Sequence, residues 1–294
     1  MWLIYSLLSA FFLALTDAFS KKALITENTP FIAWVRYTYA VPFLLLTVPF
    51  IEFPEIDSTF ILICILLVPL EITAILLYVE AIKISPLSMT LPFLSFTPVF
   101  LIMTSYLILG ELPDRSGFVG ILLVASGAYL LNVHTIRYGI LEPLRAIRRE
   151  KGAILMIIVA FIFSITSNLG KIAIQHTNPL FFSVFYITLL SIALLPIMLF
   201  KNYRRQSEFN NRIKFSSLFK EKNFFIIGIC YAIMVISHFK AVMLIEVPYM
   251  ISVKRMSLLF GIIFGAIFFK ETNIKEKLIG GIIMIIGLIL ISVF

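Results

Sequence analysis

Lys254 and Arg255 stand side by side in the stretch PYMISVKRMSLLFGIIFGAIFFKE, residues 248–271, which is otherwise apolar enough to cross a bilayer. A charge at mid-bilayer costs about 2.5–3.5 kcal/mol on insertion scales, so such a residue is expected to face a cavity or a partner. Were the helix to begin only after Arg255, about fourteen residues would remain, roughly 21 Å and short of a ~30 Å core. The pair therefore lies well inside the span. Lys254 shares its side of the helix with Ser257, Gly261 and Gly265, a narrow stripe suited to a cavity wall. Gly261 and Gly265 also form a GxxxG pair for close helix packing. Arg255 shares a greasier side with Ser252, Leu259, Ile262 and Ala266. The expected chemistry is a fixed positive field beside a substrate path, with Lys254 its main source. The plainer alternative is snorkelling towards lipid headgroups.

Two acids raise the same question. Glu71, in LLVPLEITAIL, is the deepest carboxylate and the natural proton-coupling group or counter-ion for the cation pair. Asp17 lies late in the first span, one turn before Lys21, where an i,i+4 ion pair explains it locally and proton coupling is the second reading. Arg36, among Trp34, Tyr37 and Tyr39, reads as an interfacial anchor. His238 and Lys240 read as the wet end of a span, and Glu111 and Glu271 as structural residues at span ends.

The elements that must position these residues are transmembrane helices. The chain is 61% hydrophobic and 14% charged, with a mean hydropathy of +1.04; a soluble domain runs nearer half apolar and a quarter charged. So much apolar surface cannot be hidden from water, and hydrocarbon demands closed backbone hydrogen bonding. Ten spans are expected, at 2–22, 30–51, 59–80, 86–109, 116–134, 152–172, 180–200, 223–244, 248–269 and 277–294. The N-terminus lacks a basic segment and a cleavage site and reads as the first span. Cys64 and Cys230 have no metal-ligand or redox spacing, and the three histidines match no zinc motif, so no metal and no cofactor is expected.

The halves repeat. At a shift of 150, Ala10, Phe11, Thr16, Lys21 and Ala23 meet Ala160, Phe161, Thr166, Lys171 and Ala173. Beyond the second span the shift is 160, so that Ala81, Phe100, Glu111, Gly120 and Gly127 meet Ala241, Phe260, Glu271, Gly280 and Gly287. The extra residues fall in the basic stretch 201–222. Five spans per half is an odd number, so the second half enters the membrane inverted. The expected fold is all-α, ten transmembrane helices as two inverted five-helix repeats, 1–134 and 152–294, joined by a basic linker at 135–151. Inverted repeats are the architecture of alternating access, with the site near the midplane between the halves.

The repeat also sorts the candidates. Lys254 and Arg255 meet Leu94 and Ser95, so the fold itself does not demand the charge. The fourth span instead carries Pro92 and Pro98, each removing a backbone hydrogen bond and inviting a kink that could gate or line the cavity. Asp17 meets Ser167 and Asn168, which keeps hydrogen-bonding capacity there in both repeats, and Glu71 meets Tyr231. Ser257, Ser95 and Asn168 join Lys254, Arg255 and Glu71 as expected cavity residues.

Glu111 in LILGELPDRSGFVGILLVASGAYLLN and Glu271 in AIFFKETNIKEKLIGGIIMIIGLILIS each follow a long span and precede a glycine-bearing one. With YVEAIKISPLS and ISVKRMS upstream, the whole chain resembles the EamA-type drug/metabolite transporter superfamily. The resemblance implies a ten-helix transporter, five plus five, moving a small metabolite. Related families handle amino acids, nucleotide sugars, sugar phosphates, drugs or lipid-linked sugars.

Connections after odd-numbered spans, counted with the span ends that flank them, hold eighteen basic residues and those after even-numbered spans three, which by the positive-inside bias puts the odd connections in the cytoplasm and both termini outside. That is opposite to the usual topology of the family. The 201–222 segment, seven cations against two acids, is then cytoplasmic, either lying on anionic lipid or simply fixing topology.

The expected function is a secondary transporter of the cytoplasmic membrane for a small anionic or zwitterionic metabolite such as an amino acid or organic acid. No GxxxxGK[ST] motif is present. A lipid-linked sugar flippase is the alternative within transport. A membrane-embedded enzyme would need a clustered nucleophile and base or several metal-binding carboxylates, which the scattered acids do not provide. A non-transporting scaffold would show a sealed interface between the halves. The expected partners are the substrate and the lipid bilayer, with no nucleic acid; the helix glycines could serve a homodimer as easily as internal packing.

Overall fold

The computed structural model describes residues 1–131, 151–209, 222–270 and 274–293. The linker expected at 135–151, apart from Lys151, residues 210–221 of the basic stretch 201–222, and Glu271 lie outside them. The described residues form helices and connections, with no strand among them. The helices are α1 (Trp2–Ala23), α2 (Thr29–Thr38, followed by the short turn Val41–Leu45), α3 (Ser58–Ile84), α4 (Leu91–Leu109) and α5 (Arg115–Leu130). After them come α6 (Lys151–Gln175), α7 (Pro179–Phe209), α8 (Lys222–Leu244), α9 (Val247–Phe269) and α10 (Ile274–Val293). Seven of these, α1, α3, α4, α6, α7, α8 and α9, are long and apolar enough to cross a membrane, while α5 and the 279–292 portion of α10 are shorter apolar helices. Two expected boundaries move: α7 continues past the apolar run to Phe209, and α2 breaks around Tyr39–Ala40 ahead of Pro42.

Side-chain caps start several helices. Asn28 accepts from Phe31 N–H and Asn178 from Phe181 N–H, both at 2.9 Å, so the α2 and α7 caps repeat at the 150 shift. Each such cap stabilises a helix start by about 1 kcal/mol. Asp57 and Asp114 cap α3 and α5 in the same way, each at 2.8 Å.

Packing between the halves follows the internal repeat. Helix α1 lies mainly on α8 and α9, and α6 correspondingly on α3 and α4, while α2 meets α7 and α5 meets α10. The α5–α10 contact gives the relative direction. A Cβ on Gly120 would lie 2.9 Å from the Gly287 carbonyl oxygen, and one on Gly127 would lie 2.7 Å from that of Gly280. As the α5 position rises the α10 partner falls, so the last helices of the two halves run antiparallel. Only glycine allows backbones this close. The glycines of the last helix are therefore used inside the chain.

Helices α4 and α9 are both discontinuous at equivalent positions. In α4, Leu91–Ser95 is a tight 3₁₀ stretch and the α-helix resumes at Phe96, which puts Pro98 in its first turn where no intrahelical donor is needed. In α9, Val247–Lys254 ends at Arg255 and the helix resumes at Ser257. The unbroken ninth span expected from sequence is corrected here. No proline marks that break; around it the Leu258 N–H donates to Arg255 and the Leu259 N–H to Met256, i→i+3 bonds in place of i→i+4.

Candidate functional site

A cavity with about 110 Å³ of room for solvent centres lies between the halves. At roughly 10–15 Å³ per water on that measure, it has space for a small solute. Residues from both repeats line it: Leu13 of α1, Arg36 of α2, Glu71 and Tyr78 of α3 and Leu94 of α4 on one side, and residues of α6, α7, α8 and α9 on the other. The α9 break delivers Lys254 and Arg255 to this wall, which is where hydrocarbon-deep cations can be accommodated. Lys254 Nζ is 3.3 Å from His238 Nδ1. Tyr37 Oη donates to Glu71 Oε1 at 3.3 Å. Lys254, Arg255 and Glu71 thus share one cavity although they come from opposite halves.

The most buried charge is one that sequence reasoning placed elsewhere. Arg36 is 1% exposed. Its Nη2 donates to Asp17 Oδ1 at 2.9 Å, and Tyr78 Oη donates to Asp17 Oδ2 at 2.5 Å. Its guanidinium sits over the Tyr78 ring at 5.2 Å and the Tyr231 ring at 5.5 Å. The interfacial reading of Arg36 and the Asp17–Lys21 pairing are both corrected. Helix α2 starts at Thr29, so Arg36 lies two turns in, where it meets Asp17 of α1. Lys21 instead donates to the carbonyls of Ile82, at 2.8 Å, and Ser85, at 2.5 Å. His238, expected to be wet, lines the cavity, more than a turn before α8 ends at Leu244.

Other expected site residues lie outside the cavity wall. Ser95 and Ser257 are buried beside the two helix breaks. Asn168 ties α6 to α4, donating from Nδ2 to Thr104 Oγ1 at 3.1 Å and to the Ser164 carbonyl at 2.9 Å. Pro92 and Pro98 are buried in α4, and Gly261 and Gly265 in α9. A Cβ on Gly261 would lie 3.1 Å from Leu91, so its contact is internal.

A set of polar contacts joins the halves on the face that carries the connections after the even-numbered helices. Lys171 Nζ contacts Glu111 Oε1 at 2.5 Å and the Ile245 carbonyl at 2.9 Å, and the Val247 N–H donates to Glu111 Oε2 at 3.0 Å. His176 Nδ1 lies 2.6 Å from Asp57 Oδ2, and Asn178 Nδ2 donates to the Glu52 carbonyl at 2.7 Å. Tyr249 Oη donates to Asp114 Oδ1 at 2.6 Å. The Phe60 N–H, with His176, holds the Asp57 carboxyl below its ordinary value, and the Tyr249 hydroxyl does the same for Asp114. Partial burial, with Glu111 nearby, pushes Glu246 up. Among the described residues no cluster of His, Cys, Asp or Glu is placed to hold a metal ion.

The model of the EamA-like transporter family matches residues 1–133 and 150–293, almost the whole chain in two blocks. The chain belongs to the EamA-like transporter family. Its two matched blocks carry the two helical repeats, and the cavity with Arg36, Glu71, Lys254 and Arg255 lies between them. No curated protein matches. A crystal structure of a protein is similar with a TM-score of 0.65 at 13% identity, over 97% of this chain and 98% of that one, a likeness of fold alone.

Proposed function

We propose that this EamA-like protein is a secondary transporter that moves a small anionic or zwitterionic metabolite, an amino acid or organic acid, across the cytoplasmic membrane by alternating access. The observation that carries the reading is the cavity between the halves, into which α9 brings Lys254 and Arg255 and α3 brings Glu71. Lys254 and Arg255 supply the positive field for the solute, and Glu71 is their counter-ion and the proton-coupling group. Asp17 takes part through Arg36. The bends of α4 at Pro92 and Pro98 and of α9 at Arg255 are where the halves flex, and the Lys171–Glu111 and His176–Asp57 contacts close one face. Ten crossings are completed by α2, α5 and α10, five in 1–134 and five in 152–294, joined by the basic segment 135–151. The excess of Arg and Lys in odd-numbered connections supports extracytoplasmic termini.

Counterflow in proteoliposomes tests the function. Candidate amino and organic acids are expected to exchange with wild-type protein, and Lys254→Ala and Arg255→Ala to slow exchange at least about tenfold, the scale of one lost charge-assisted contact. Exchange unchanged in both variants removes their assigned role. A cysteine at position 210 is expected to resist a membrane-impermeant thiol reagent in intact cells; ready labelling reverses the orientation. The native cysteines, both buried, leave little background.

A further inference from the structure

Hydrogen-bond donors in the cavity outnumber their acceptors. Arg36 Nε and Nη1, Arg255 Nε and the Tyr186 hydroxyl are buried without a hydrogen-bond partner, and all three residues line the cavity. Leaving such donors unmet is costly, most of all on a charged group. The guanidinium carbon lies over the Tyr78 and Tyr231 rings, and Asp17 takes only Nη2. Nε and Nη1 point to opposite sides of the group, and either makes the fork that a carboxylate fills only together with the second hydrogen of Nη2, the one that Asp17 leaves free. Charge gives the same answer. In and directly against the cavity, among the described residues, the cations are Arg36, Lys254 and Arg255 and the carboxylates are Asp17 and Glu71, leaving one positive charge over in ordinary ionisation states. Most of the rest of the wall is greasy, with Leu67, Ile75, Phe163, Phe182, Leu190 and Phe239, and Thr166, Ser167 and His238 are polar points on it.

Resting on the transport reading, we infer that the solute is a hydrophobic monocarboxylate whose carboxylate docks on the free edge of Arg36, with its apolar body against the phenylalanines. Arg36 is then the recognition residue, and Asp17 is an internal acceptor that holds the guanidinium in place and competes with the solute for it. A neutral solute of the same shape leaves the donors unmet. A dianion brings a second negative charge with no cation left to balance it.

The test is calorimetric binding to the purified full-length protein, with 3-phenylpropionate, its neutral analogue 3-phenylpropionamide, and acetate as probes. The acid is expected to bind at least about tenfold more tightly than the amide, as the loss of a charged hydrogen bond requires. It should exceed acetate by a similar factor through burial of the ring. Arg36→Lys, which keeps the charge but not the planar fork, should weaken the acid about tenfold or more and leave the amide unchanged. Asp17→Asn should tighten the acid, a direction that a damaged fold does not produce. Equal affinities for acid and amide, affinity for acetate as high as for the aryl acid, or no detectable binding of any probe overturns the inference, and none of these readings needs a variant. Discrimination of acid from amide without counterflow of any solute would sustain this site and remove the transport reading. Counterflow of other solutes without that discrimination would do the reverse.

Discussion

Lys171 of the second repeat reaches across to Glu111 of the first at 2.5 Å, and the same carboxylate accepts the N–H of Val247 where α9 begins. One acid therefore ties together the ends of α4, α6 and α9. Lys171→Met leaves Glu111 largely buried without its cation, a change that costs about 3–5 kcal/mol for a buried pair and somewhat less here, where the two side chains keep 9% and 17% exposure. The melting temperature in detergent is expected to fall, and a cysteine placed at Leu94 to label faster from this face. The double variant Lys171→Met/Glu111→Leu should recover part of the stability. Labelling at an unchanged rate would mean that the contact is not part of a gate.

The register of this clamp was legible in the sequence. Lys21 and Lys171 match at a shift of 150 and Ser85 and Ile245 at 160, and the structure bonds Lys21 to the Ser85 carbonyl and Lys171 to the Ile245 carbonyl. The matched glycines of α5 and α10 likewise find one another. Repetition is visible because it needs only comparison of the chain with itself. The break in α9 carries no proline, and i→i+3 bonding around Arg255 leaves no compositional mark. Arg36 and Asp17 were misplaced because spacing along a helix reports local neighbours, whereas their partnership is made by packing between α1 and α2. Burial of Arg36 had one sign, its place among Tyr37, Tyr39 and Trp34, but aromatic residues flank interfaces and cavities alike.

The acid limb of stability should report the Asp57–His176 contact. Donation from the Phe60 N–H, reinforced by His176, keeps the folded pKa of Asp57 below its unfolded value of about 3.9. A depressed carboxylate stabilises the fold above the unfolded pKa and loses that contribution as pH falls through the folded one. Asn retains the helix cap, so Asp57→Asn removes the charge alone. Between about pH 5 and pH 3 the melting temperature of the wild type should fall more steeply than that of Asp57→Asn. The difference should shrink in high salt, since the pair is exposed. Parallel profiles would show that the Asp57 charge contributes nothing.

Tyr78 supplies the second hydrogen bond to Asp17 and one of the rings over Arg36. Tyr78→Phe removes the hydroxyl and keeps the ring, so it should cost about 1–3 kcal/mol, the penalty for a buried acceptor left short of a donor. If Asp17 competes with the solute for Arg36, a carboxylate deprived of Tyr78 holds the guanidinium more tightly, and carboxylate affinity should fall without loss of the cavity. Chemical denaturation reads the first effect and calorimetry with 3-phenylpropionate the second. A stability change with unaltered affinity would confine Tyr78 to a structural role.

The α5–α10 seam leaves no room for a side chain at its glycines. A Cβ on Gly127 would lie 2.7 Å from both the Gly280 carbonyl oxygen and the Met284 nitrogen, and a Cβ on Gly280 would meet the Gly127 oxygen at 2.5 Å. Backbone atoms cannot rotate away as a flexible side chain can, so even Gly127→Ala must push the helices apart and should cost about 1–3 kcal/mol. Gly110 has no atom within 4 Å of a Cβ, but its φ of +70° ends α4 in the left-handed region, so Gly110→Ala is strained for a different reason. The two mechanisms separate by rescue. Asn, which tolerates the left-handed region, should restore most of the stability at Gly110 and make Gly127 worse than alanine does. Denaturant midpoints for the four variants would decide it, and equal rescue at both positions would mean that the seam is looser than its backbone distances require.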